Sequence, residues 1–182
     1  MRLELAGPDT VLGSSLCAQC PYSPAGCCVA PPRYDWSDIG RVIGHGGLDW
    51  LLARIADGSL KPIEHGLAVG RVKRRVLPSR ESPRLVKCVF HDGAVGCTID
   101  ERQRPATCNF YLCDRALEEG ARSAGAEAER VAREAHDRLV QRFVQWDAEL
   151  SQRVRAEWSE AQWYTAPFLT WLGAELVRLR DE

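Results

Sequence analysis

The chain has 182 residues, 45% of them hydrophobic and 27% charged, with a formal net charge of −1. That length supports a core without disulfides, and the charge balance excludes a general attraction to nucleic acid or to anionic membranes. Eight cysteines, no apolar run of the roughly 18 residues a membrane span needs and no signal-peptide pattern in residues 1–16 predict a cytoplasmic protein. Its thiols then stay reduced and serve metal rather than disulfides.

Residues 1–16 read as an extended lead-in with a turn at Gly7-Pro8-Asp9. Cys17-Ala-Gln-Cys20 follows, and the two-residue gap lets both sulfurs of a tight knuckle reach one metal. Pro21, Pro24 and Gly26 turn the chain ahead of Cys27 and Cys28. Adjacent side chains point apart. Either one of this pair is a ligand and the other packs as a small apolar residue, or the two serve different metals or different irons of one cluster. Redox chemistry at an unligated Cys17/Cys20 pair fits less well, because proline-rich coil rather than a helix follows it.

Ser37 is placed to cap a short helix, with Asp38 in its first turn and Ile39, Val42 and Ile43 on its apolar face. Gly44-His45-Gly46-Gly47 breaks it, and Leu48, Leu51, Leu52 and Ile55 carry a second helix to Asp57-Gly58. His45 reads as a polar loop residue, since no histidine partner lies at metal-site spacing. Residues 60–90 read as strands through Val69, Val72, Val76, Leu85, Val86 and Val89, limited by Pro62, Pro78 and Pro83. The basic run Arg71-Val-Lys-Arg-Arg75 reads as a solvated strand face.

The densest part of the sequence is the stretch Cys88 to Cys113, which also holds Cys97 and Cys108. Asp92-Gly93 between short apolar runs predicts a two-residue hairpin. Pairing outward places His91 opposite Ala94 and Cys88 opposite Cys97. At such a non-hydrogen-bonded pair the Cα atoms are about 4.5 Å apart and the two thiols share a face. They suit one metal ion or cluster, or a cross-strand disulfide.

Beyond Cys113, apolar residues recur at steps of three and four from Leu117 to Trp158, which predicts a long amphipathic helix interrupted at most by Gly120 and Gly125. Ser159 with Gln162 forms a capping box. Thr165 and Pro167 open a last helix with Phe168, Leu169, Trp171, Leu172, Leu176 and Leu179 on its apolar side. These aromatics are expected to pack inward, with docking of a protein partner as the alternative.

The order Cys17-x2-Cys20, Cys27-Cys28, Cys88-Val-Phe-His-Asp-Gly, Cys97-Thr-Ile-Asp, Arg104-Pro105-x2-Cys108 and Cys113 resembles the YkgJ-type cysteine-cluster family, a group of zinc- or iron-chelating domains. The resemblance spans roughly residues 15–115. It implies metal binding by the cysteine set. The first cluster is more widely spaced here than in the compact form of that family. One branch contains flagellin lysine methylases, which are longer chains, and that activity is not carried over. Arg104 is expected to hydrogen-bond a thiolate or a nearby carboxylate, with Pro105 fixing the chain after the hairpin.

The expected fold is α+β. A small irregular cysteine-rich metal-binding domain with a β-hairpin occupies residues 1–115, and a long C-terminal helical hairpin over 116–182 packs on it. The expected function is to hold an iron–sulfur cluster, of the 4Fe-4S type, or zinc, through Cys17, Cys20, Cys27, Cys28, Cys88, Cys97, Cys108 and Cys113. Redox or protein-modifying chemistry is one extension. The alternative is a zinc-stabilised interaction module whose C-terminal helices bind a protein partner.

Overall fold

The structure, a computed structural model, describes residues 2–14, 28, 31–75, 84–92 and 95–181. Cys17, Cys20 and Cys27 lie outside the described residues, as do Pro21, Pro24, Gly26, Val76, Pro78, Pro83, Gly93 and Ala94.

The fold mixes helix and strand, and among the described residues the strands occur only as antiparallel pairs. β1 (Arg2–Glu4) pairs with β2 (Val11–Gly13) across the Gly7–Asp9 3-10 turn. After α1 (Trp36–Gly44) and α2 (Leu48–Ala56), β3 (Leu60–Ile63) pairs with β4 (Gly66–Val69). β5 (Arg71–Arg75) pairs with β6 (Arg84–Cys88), and β7 (His91–Asp92) with β8 (Gly96–Cys97). A short helix α3 (Ala106–Phe110) leads into α4 (Asp114–Ala124), α5 (Ala126–Glu157) and α6 (Ala166–Asp181).

Helix α1 begins two residues earlier than a Ser37 cap would have set it. Asp35 is its N-cap, and Asp38 at the third position accepts the Asp35 N–H at 3.4 Å. Ser37 is buried inside the first turn, where its backbone N–H donates to Asp147 of α5 at 3.3 Å. Ile39 and Val42 are fully buried, and α1 lies directly on α6, whose Phe168, Leu169 and Leu172 are likewise fully buried. Two glycines make that approach possible. A Cβ on Gly40 would sit 2.9 Å from Leu176 Cβ, and one on Gly173 would sit 2.4 Å from Ile43 Cγ2.

The expected single long helix is two. Gly125 takes φ 90°, in the left-handed region, and separates α4 from α5, whereas Gly120 stays inside α4. Along α5 the buried residues Ala132, Ala135, Leu139, Phe143, Trp146, Leu150 and Val154 keep the three-and-four step, as an amphipathic helix facing a core requires. The capping box at Ser159 and Gln162 forms as expected.

The aromatic residues of the C-terminal segment turn inward. Trp36 of α1 has Trp163 at 5.5 Å, Tyr164 at 5.7 Å and Phe168 at 5.5 Å between ring centres. Trp158 packs on Phe168 at 5.4 Å and on Trp171 at 5.7 Å. The Tyr164 hydroxyl lies 2.6 Å from the carbonyls of Ile63 and Gly66, which ties this segment to the β3–β4 turn. Residues on both sides of position 115 therefore share one hydrophobic cluster. Among the described residues no helix is long and apolar enough to cross a membrane.

Candidate metal centre

Tyr34 anchors the region in which most of the described cysteines lie. Its backbone bridges to Leu67 of β4 through paired hydrogen bonds of 2.8 Å. Gly66 permits this approach: with φ 118°, it places hydrogen where a Cβ would stand 1.9 Å from the Tyr34 carbonyl oxygen. The Tyr34 ring is fully buried and packs against Trp50 at 6.4 Å, and Trp50 packs on Phe90 at 6.1 Å. The hydroxyl donates to the Gln103 carbonyl at 2.8 Å, 69 residues away in sequence.

That bond is one of several that fix the segment between Cys97 and Cys108. Asp38 of α1 accepts the Ala106 N–H at 2.6 Å, at the start of the helix that carries Cys108. Arg41, 2% exposed, donates to the Arg104 carbonyl and, at 3.3 Å, to Asp9. Asn109 donates to the Glu101 carbonyl at 2.6 Å, and the Asp100 carboxylate accepts the Arg102 N–H at 2.9 Å. Arg104 itself departs from expectation: its Nε donates to the Ile99 carbonyl at 2.7 Å. A main-chain oxygen, not a thiolate or carboxylate, receives that bond, so the arginine clamps its own turn.

The hairpin at Asp92 exists with a different register. His91, not Cys88, lies opposite Cys97, and Asp92 lies opposite Gly96. The Asp92 carboxylate accepts the Val95 N–H at 3.1 Å, and Gly96 takes φ 84°. This side-chain turn and left-handed glycine favour a longer connection than the two-residue turn. The Phe90 carbonyl then accepts both the backbone N–H and the hydroxyl of Thr98 at 2.9 Å. Cys88 ends a separate hairpin, opposite Arg71. The expected cross-strand pair of Cys88 and Cys97 is therefore absent, and buried His91 takes the place beside Cys97.

Cys88 on β6, Cys97 on β8 and Cys108 on α3 nevertheless bear on one group. Burial first, then negative charge at Asp38, Cys108, Cys97 and Cys88, push the Tyr34 hydroxyl well above its ordinary pKa. Three thiols from three elements thus sit within electrostatic reach of a single buried phenol. Cys88 is buried, Cys97 half-buried and Cys108 exposed, and these, with Cys28 and Cys113, are thiols rather than half-cystines. Cys113, at the N-cap of α4, lines a cleft of about 280 Å³ with His136, Asp137 and Tyr111.

Among the described residues no group of three or more histidine, cysteine, aspartate or glutamate side chains is drawn close enough to hold one ion. The donor chemistry fits a soft metal or cluster, but a complete ligand set has to draw on Cys17, Cys20 or Cys27. Sequence reasoning missed Tyr34 altogether, read His91 only as a hairpin residue and Asp38 only as a first-turn residue, and gave Arg41 no role. One signal was present: an arginine between Gly40 and Val42 interrupts the buried side of α1. Comparisons of the chain with protein-family models, with curated proteins and with solved structures find no match.

Proposed function

We propose that this protein binds a transition-metal centre through its cysteines, with an iron–sulfur cluster ahead of zinc. The observation that supports this most directly is that Cys88, Cys97 and Cys108, from three separate elements, all lie near enough to buried Tyr34 for their thiolate forms to oppose its ionisation. Cys88 is buried and Cys97 half-buried, and a soft metal cation stabilises thiolates at such positions, where burial alone favours the neutral thiol. The polar bonds from Tyr34, Asp38 and Arg41 to residues 103–106 hold the cysteine-bearing segments in place without using the thiols. That is how outer partners orient a ligand set.

Cys17, Cys20 and at least one of Cys27 and Cys28 complete the set. Adjacent cysteines serve different irons of one cluster more readily than they chelate one zinc, which places the cluster first. A cluster supplies one-electron transfer, whereas a closed four-thiolate zinc site supplies folding energy. His91, beside Cys97, adds a nitrogen donor to the same neighbourhood.

The test is anaerobic purification followed by measurement of iron, acid-labile sulfide and zinc per chain. A brown protein absorbing at about 400 nm with stoichiometric iron and sulfide supports the cluster. A colourless protein with stoichiometric zinc supports the structural centre instead. Protein carrying neither metal in stoichiometric amount overturns the proposal.

A further inference from the structure

A second feature has no cysteine in its lining. A cleft of about 460 Å³ opens between the Gly7–Asp9 turn, α5 and the C-terminal end of α6. Its volume falls within the range of small-molecule sites. Leu139 and Trp146, each 8% exposed, give it an apolar wall. Arg138, Arg142 and Arg180 line it, against one lining carboxylate, Asp181.

The positive charge there is poorly neutralised. Arg142 lies over the Trp146 ring at 5.7 Å, and among the described residues no carboxylate pairs with it. Arg138 reaches Glu134 only at 3.9 Å, with its side chain 68% exposed. Arg180 is 4.0 Å from Asp9, a carboxylate already shared by Arg41 at 3.3 Å and His45 at 2.7 Å. Guanidinium groups recognise carboxylate, phosphate and sulfonate oxygens through two parallel N–H bonds. An apolar wall beside them takes up an apolar body.

We infer that this cleft binds a small organic anion, its phosphate or carboxylate held by Arg138, Arg142 and Arg180 and its apolar body set against Leu139 and Trp146. The inference rests on none of the cysteines and stands whether or not the metal proposal does.

The probe is 1-naphthyl phosphate, titrated calorimetrically into the full chain at low ionic strength, with 1-naphthol and inorganic phosphate as its two halves. Saturable one-site binding is expected, at least about tenfold tighter than either half. Arg138→Gln and Arg142→Gln are expected to weaken it about tenfold each, the consequence of losing one charge-assisted contact. Both side chains are exposed, so the variants should fold. Arg122→Gln, on α4 and outside the cleft, is the control and should bind as the parent does. No saturable binding overturns the inference. So does binding that the two cleft variants leave unchanged, or that 1-naphthol or phosphate alone matches.

Discussion

Replacing Asp38 with asparagine tests the polar pins most sharply. The Asp38 carboxyl is pushed up to about 7 from an ordinary 3.8, chiefly by burial, against which the Ala106 N–H and Arg41 pull it down. The unfolded chain holds this group near the ordinary value, so the folded state binds its proton more tightly. Stability from this group is then fully present below about pH 3.8 and is lost as pH rises toward 7. The gap corresponds to about 4 kcal/mol once both states have ionised.

Asparagine keeps an oxygen for the Ala106 N–H but turns an amide toward the Asp35 N–H, which costs about 1 kcal/mol at every pH. The variant should match the parent at about pH 4.5, where the parent has already lost about 1 kcal/mol, and be the stronger by about 2–3 kcal/mol at about pH 8. The assay is urea unfolding followed by far-UV circular dichroism across that range, with metal content checked at each pH. Other titrating groups cancel when the two proteins are subtracted. A difference that stays within about 0.5 kcal/mol from end to end would refute a buried ionising carboxyl at this position.

Tyr34→Phe leaves the Gln103 carbonyl without its donor. A loss of about 1–3 kcal/mol is expected in urea, together with lower metal content, and an unchanged protein in both respects would remove Tyr34 from the account. Gly173→Ala drives a methyl to 2.4 Å from Ile43 Cγ2. Overpacking of about 1–3 kcal/mol should outweigh the roughly 1 kcal/mol gained in helix propensity. The melting temperature should fall, and adding Ile43→Ala should recover part of the loss. Cys97→Ser and Cys108→Ser should each lower bound metal by about half or more, read by elemental analysis. Equal metal in both variants and the parent would exclude those sulfurs as ligands.

The helices were legible because their signals are local and repeated. The step of three and four that marks α5 from Ala132 to Val154 survives any error about what it packs against. The Ser159–Gln162 box is complete within four residues. The β7–β8 register was not legible in the same way. Asp92-Gly93 is a strong turn signal, but the competing signals, the Asp92 side chain and a left-handed Gly96, lie on either side of it. They move the pairing so that Cys97 meets His91. The surroundings of the thiols were less legible still, because Tyr34 meets Gln103 across 69 residues and Asp38 meets Ala106 across 68. No spacing rule reports such meetings. Arg104 shows the limit of motif reading, since its residue type was noticed while its partner, the Ile99 carbonyl, is a backbone atom carrying no identity.

Among the described residues the strands form four separate pairs rather than one sheet, which leaves rims of backbone donors and acceptors outside the ladders, that of β4 closed in part by the Tyr34–Leu67 bridge. Such rims invite strands from other molecules unless charge keeps them apart. On β5 the side chains of Arg71 and Lys73 project into solvent on either side of half-buried Val72, which makes the basic run a guard against self-association. Neutral residues at 71 and 73 are expected to raise self-association on concentration, as read by light scattering.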